Sequence, residues 1–178
     1  FLFRAGSSEW FVFSAAIIRA DIESTVVRVV DQVRGLLKKP AHKPLHFREL
    51  KHEQKVAYCT ALAGAELRIV SLLVHKPSLN EPEKFRDRYR LYFYGVRFLL
   101  ERVSWYCRDH CLPGGDCTAE VVFSNRASMS YIELCDYLRH LKANSAAWDV
   151  KIEWSCIDPN RVLALPVRSR KGLEIADA

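Results

Sequence analysis

Leu67-Arg68-Ile69-Val70-Ser71-Leu72-Leu73-Val74-His75 is the stretch on which the fold reading turns. A nearly continuous apolar run of this length, rich in branched residues and free of Gly and Pro, is the pattern of a strand buried on both faces. It is therefore expected at or near the centre of a sheet. Before it, Trp10-Phe11-Val12-Phe13-Ser14-Ala15-Ala16-Ile17-Ile18 is an aromatic and β-branched run, read with Phe1–Phe3 and the Ala5–Ser8 turn as a hairpin. Asp21 is placed to cap a helix in which Ile22, Val26, Val30, Val33 and Leu37 keep helical spacing up to the stop at Pro40. A shorter helix runs from the Leu45–Leu50 segment to about Gly64.

Beyond the central run, Phe85, Tyr89, Tyr92, Val96, Leu99 and Val103 predict one long helix from Glu83 to about Asp109. Ala119–Ser124 and Val150–Ile157 read as strands, Tyr131–Leu141 as an amphipathic helix, and Gly172–Ala178 as the opening of a helix. Strands followed by alternating strands and helices give an α/β fold, a mixed central sheet with helices on its faces. At 178 residues the chain reads as a single domain spanning 1–178. It begins at Phe1 without Met and stops at Ala178 inside a helix, so it is expected to be truncated at both ends.

A hydrophobic fraction of 49% with 27% charged residues excludes a disordered or low-complexity chain. Every long apolar stretch is broken by Arg, Lys, Glu or His, which excludes a bilayer span and a membrane partner. The net charge of +6 favours anionic partners. Six Cys without regular spacing read as buried thiols of a reducing compartment, hence a cytoplasmic location.

Gly114-Gly115 follows no strand and lacks phosphate-loop spacing, so it is a turn, and no organic cofactor is expected. Cys107, His110, Cys111 and Cys117 cluster, but their spacing matches no structural zinc pattern, and no closed zinc site is expected. Arg86, Arg88, Arg90, Arg97, Arg102 and Arg108, interleaved with Tyr89, Tyr92 and Tyr94, form either a solvated helix face or a phosphate-tracking one. Arg168, Arg170 and Lys171, with Arg161, are the better basic patch, beside Glu174 and Asp177. Those two acids are three apart on one helix. They complement the helix dipole or, with a facing carboxylate, hold Mg²⁺ or Mn²⁺. His46 and Glu49 are a second pair at the same spacing, read equally as a helix-entry device.

Three segments in order, Trp10–Ile18, Leu45-His46-Phe47-Arg48-Glu49-Leu50 and Gly172-Leu173-Glu174-Ile175-Ala176-Asp177, resemble the landmarks of the bacterial family called domain of unknown function 3800. The resemblance spans the whole chain and implies a ribonuclease H-like fold. That family usually opens on a strand ending Asp-Glu-Ser-Gly and closes on a helix reading Leu-Gln-x-Ala-Asp. Asp177 matches the closing Asp, Glu174 stands where the family has Gln, and His46 with Glu49 matches a His-x-x-Glu landmark. The opening acidic strand is missing from this chain. After the middle strand stand Ser124, Asn125 and Arg126, where an acid is often found, and Asn125 offers an amide oxygen but no charge.

The resemblance implies a metal-dependent nuclease or phosphodiesterase. Asp177, Glu174, His46 and Glu49 are then the catalytic candidates, and Asp177, Glu174 and Asn125 would hold Mg²⁺ or Mn²⁺. Arg168, Arg170, Lys171 and Arg126 would bind the phosphate backbone of DNA or RNA. The alternative is a non-catalytic nucleic-acid or protein interaction module whose acidic site is incomplete. A third reading, a small-molecule enzyme, would use the Cys107 and His110 region.

Overall fold

The computed structural model describes residues 7–40, 42–87, 89–125 and 129–177. Phe1–Phe3, most of the turn after them, Arg88, Arg126 and Ala178 therefore lie outside the described residues, and with them half of the expected hairpin. The chain is mixed α/β. Its elements are β1 (Trp10–Ile17), α1 (Glu23–Leu36), α2 (His52–Ala63), β2 (Arg68–His75), α3 (Arg90–Asp109), β3 (Val122–Ser124), α4 (Tyr131–Ala143), β4 (Leu163–Leu165) and α5 (Lys171–Ala176). It divides into two compact units, one of Phe1–Ser14, Val70–Val121 and Arg126–Leu163, the other of Ala15–Ile69, Val122–Asn125 and Ala164–Ala178. Among the described residues no helix is long and apolar enough to cross a membrane.

The described strands form two two-stranded sheets, β1 with β2 and β3 with β4, rather than one central sheet. β2 is thus an edge, not a centre. The Lys76 amide donates to the Glu9 carbonyl and Ser14 pairs with Ser71 through their hydroxyls, so β1 and β2 run antiparallel. Val70, Leu72 and Val74 turn toward cover, whereas Ile69 and Leu73 remain 46% and 60% exposed. The run is apolar on both faces, yet only one face is covered.

Val150–Ile157 forms no strand, although Val150, Ile152 and Cys156 are buried on the expected alternation. Its backbone is satisfied by α3 instead. Lys151 N–H donates to Glu101 Oε1 at 3.0 Å and Glu153 N–H to Ser104 Oγ at 3.0 Å, while Trp105 Nε1–H donates to the Lys151 carbonyl at 2.7 Å. Polar side chains of a helix thus answer the Lys151 and Glu153 amides in the role of a neighbouring strand. The buried Glu101 is in turn balanced by Arg97 at 3.3 Å and Arg102 at 2.8 Å.

The helices follow their apolar spacing, with shifts at their starts. α1 buries Val26, Val30 and Val33, but Asp21 caps nothing: it sits in a 3-10 turn and accepts from Arg19 Nε at 3.0 Å. α2 buries Tyr58 and Leu62 one turn apart and stops at Gly64, and Gln54 Oε1 accepts from the Lys51 amide at its start. α3 begins at Arg90 and not Glu83, because Pro82–Phe85 forms a 3-10 turn and Tyr89 takes a left-handed φ of 67°. Within α3, Gly95 lies so close to β1 that an added Cβ would stand 3.1 Å from the Phe11 ring.

Cys111 and Cys117 are joined in a disulfide, and Cys59 is exposed. The reading of six buried thiols is therefore corrected: two of the cysteines are bonded to each other and one free thiol is exposed. Cys107, half-buried on α3, has its thiol pushed upward in pKa, chiefly by burial. Alkylation of the denatured protein is expected to label four cysteines without reductant and all six after reduction, read by intact mass. In the native protein Cys59 should react before Cys107 at neutral pH, because the thiolate is the reactive form.

Candidate functional site

The second unit is organised on one helix face. Val26 and Val30 recur every four residues along α1, and the next position in that register is Arg34, a cation in an apolar stripe. Its side chain is buried and reaches Glu174 of α5, Nη2 donating to Oε2 at 2.7 Å and to Oε1 at 3.0 Å. Nη1 donates to the Pro40 carbonyl at 3.3 Å and to that of Lys43. Glu174 Oε2 also accepts from the Leu45 amide at 2.8 Å. One ion pair thus fastens α1, the 40–45 connector and α5 together.

Around it pack Val26, Val30, Val33, Leu45, Leu50, Tyr58, Leu62 and Ile175, all buried. The Tyr58 hydroxyl and Arg34 Nε are buried without a hydrogen-bond partner among the described residues. Burial first, and then the negative charge of Glu174, push the Tyr58 phenol far above its usual pKa, so it stays neutral and protonated.

Asp177 has a different environment. Three residues after Glu174 the helix has rotated by roughly 60° short of a full turn, and this carboxylate leaves the core for the surface. Asp177 Oδ2 accepts from the Phe47 amide at 3.0 Å and lies 3.7 Å from His46 Nδ1, with both side chains about half exposed. Asp177 Oδ1 has no hydrogen bond among the described residues. His46 and Asp177, 131 positions apart in a count from the SEQ rows, are therefore neighbours.

The other candidates are not gathered here. Glu49 is exposed in a 3-10 turn, and its carboxylate makes no ion pair among the described residues. Asn125 is exposed just after β3, its amide donating to the Leu165 carbonyl at 2.8 Å; α5 packs against β3 itself. Arg170 pairs with Glu23 at 3.5 Å and Lys171 with Asp31, so two cations of the expected basic rim are engaged by α1 acids. Arg168 is exposed, and Arg126 lies outside the described residues. Sequence reasoning missed Arg34 and Tyr58. For Arg34 the signal was present, a charge continuing the Val26–Val30 register.

The fit of Mg²⁺ or Mn²⁺ is decided by the donors. Glu174 does not fit, because both its oxygens are spent on Arg34 and the Leu45 amide. Asp177 offers one oxygen, Oδ1, without a hydrogen bond among the described residues, where Mg²⁺ is commonly held by one or two carboxylates plus water and substrate phosphate. No group of three His, Cys, Asp or Glu side chains capable of holding a metal occurs among the described residues. No protein-family model, curated protein or solved structure matches the chain.

The two acids of α5 should separate cleanly in denaturation. Glu174→Gln removes the buried counter-charge of Arg34, leaving it only the half-exposed Asp31 carboxylate at 4.0 Å, and is expected to cost about 3–5 kcal/mol. Asp177→Asn keeps an acceptor for the Phe47 amide at a half-exposed position and is expected to cost less than about 1 kcal/mol. Urea unfolding midpoints of the two variants check this, and equal losses would show the pair misread.

Proposed function

We propose that this chain is part of a ribonuclease H-like, metal-dependent nuclease or phosphodiesterase acting on nucleic acid, with Asp177 as its metal-holding carboxylate and His46 beside it. The observation that supports the reading is the meeting of His46 with Asp177. These are the two landmarks singled out by the resemblance, distant in sequence, with Asp177 Oδ2 3.7 Å from His46 Nδ1. Glu174 leaves the catalytic set and becomes a positioning residue, anchoring α5 so that Asp177 stays at the Phe47 amide.

A divalent cation bound here would supply an activated water and neutralise charge developing on the phosphate. The chain's own residues do the rest. The Phe47 N–H fixes one carboxylate oxygen, which leaves Oδ1 for the hard cation. His46 Nδ1 stands 3.7 Å from Asp177 Oδ2, beyond hydrogen-bond length, so the imidazole is a neighbour of the carboxylate and is not bonded to it. Among the described residues of the expected basic rim, Arg168 is exposed ahead of α5, whereas Arg170 and Lys171 are paired with Glu23 and Asp31. Exposed pairs of that kind are weak, and a polyanion can compete for them.

A second reading, the non-catalytic interaction module, has one observation in its favour: the Arg34–Glu174 pair removes an acid from the expected set. The deciding experiment is a cleavage and binding titration with single- and double-stranded DNA and RNA. With the intact protein, Asp177→Asn is expected to abolish Mg²⁺- or Mn²⁺-dependent cleavage while salt-sensitive binding persists, because phosphate attraction comes from Arg and Lys. Binding without metal-dependent cleavage in the unsubstituted protein would favour the module.

A further inference from the structure

The first unit carries a cleft of about 460 Å³ between α3 and α4, lined by Phe93, Tyr94, Tyr137 and Trp148 together with Arg90 and Arg97. Its size is that of a small-ligand pocket. The aromatic walls are fixed by one another: Phe93 stacks on Tyr137 with centroids 5.4 Å apart, and Tyr94 meets Phe98 edge-on at 4.7 Å. Trp148 meets His140 in the same manner at 4.7 Å. Yet Tyr94 and Trp148 remain 39% and 43% exposed, an amount of ring surface that the unit itself does not cover.

The cleft's charge is of one sign, since its lining residues include two arginines and no carboxylate. Arg97 is held rigidly, with Nε donating to Glu101 at 3.3 Å and Nη2 to the carbonyls of Trp148 and Asp149 at 3.2 and 2.8 Å. Its Nη1 has no partner among the described residues. Arg90 is exposed and, among the described residues, pairs with Asp87 at 3.3 Å. Glu101, which balances Arg97, is shared with Arg102, so the group retains a surplus positive charge. Flat unsatisfied rings beside fixed guanidinium groups suit a planar, anionic ligand, the combination used to hold single strands by base stacking and phosphate contact. An apolar peptide would leave the surplus positive charge unanswered, and a small carboxylate would leave the rings bare.

We propose that this cleft binds a nucleotide unit of single-stranded nucleic acid, its base against Tyr94 and Trp148 and its phosphate on Arg90 and Arg97. The assignment rests on the nucleic-acid reading above for its class of ligand, and on no cleavage step. It makes Arg90, Tyr94 and Arg97, three members of the expected Arg and Tyr face, a binding stripe instead of a merely solvated one.

Anisotropy titrations of the full chain in chelator test it, with a labelled oligothymidine and an abasic oligonucleotide of equal length. The base-bearing strand is expected to bind roughly fivefold to a hundredfold more tightly, the range for one or two stacked bases. Tyr94→Ala should remove that preference while leaving the abasic strand unaffected, and Arg90→Gln should weaken both. Trp148→Leu, which keeps apolar bulk, repeats the test should Tyr94→Ala fail to fold by circular dichroism. Equal binding of the two strands, no binding of either, or a preference that survives the folded ring variants would overturn the proposal. A base preference without metal-dependent cleavage overturns the nuclease reading alone, and cleavage without base preference overturns the cleft alone.

Discussion

The second unit depends on a buried ion pair. Arg34 and Glu174 stand 140 positions apart, and their contact is the point at which α1, the 40–45 connector and α5 are fastened. α5 has six residues, too few to persist as a helix by itself, since helices much shorter than about 12 residues are marginal in water. Its place is therefore set by what it touches: Ile175 in the core, Glu174 on Arg34, and Asp177 on the Phe47 amide. A buried pair is a poor source of net stability, because desolvating both charges cancels most of their attraction. Its effect is to exclude other arrangements. Neither charge can be left in that core alone, so α5 has one register in which both are answered.

How much of this was legible in the sequence follows from where the information sits. α1, α2 and α4 are local, and periodicity with a stop at Gly64 or near Pro40 fixed them nearly to the residue. β2 failed on a subtler point. Its residues are apolar on both faces, which reads as double burial, but burial is supplied by neighbours, and Ile69 and Leu73 have none covering them. Val150–Ile157 failed in the opposite sense: Val150 and Ile152 are buried on the expected phase, but a turn at 154–156 ends the alternation and the partner was wrong. An extended segment needs its amides answered, and Glu101 and Ser104 of α3 answer them as a strand would. Nothing in the segment itself distinguishes the two solutions.

The candidate site divides in the same way. His-x-x-Glu and Glu-x-x-Asp were visible as spacings, and one member of each, His46 and Asp177, does meet. The other members do not join them, since Glu49 faces solvent and Glu174 faces Arg34. Helical spacing gives relative direction and no depth. Whether an acid three residues before another is a ligand or a buried anchor is decided by a cation on a different helix, and only the apolar register around Arg34 hinted at it. The Cys111–Cys117 disulfide shows the same limit, because the turn that brings the sulfurs together includes Gly114 in the left-handed region and Cys117 at a φ of 57°.

The net charge of +6 acquires meaning once its pairing is known. Averaged over a surface, such a charge does little more than bias encounters toward anions. Here it is not averaged. Near α5 the basic residues are largely answered, Arg34 by Glu174, Arg170 by Glu23 and Lys171 by Asp31, so that Asp177 stands as a carboxylate with one oxygen unengaged. On α3 the balance is reversed, because Arg97 and Arg102 share the single carboxylate of Glu101 and leave positive charge beside exposed rings. The two units thus differ in local charge balance: around α5 each of these cations meets its own carboxylate, whereas on α3 two cations share one, so the same net charge is dispersed in one unit and concentrated in the other.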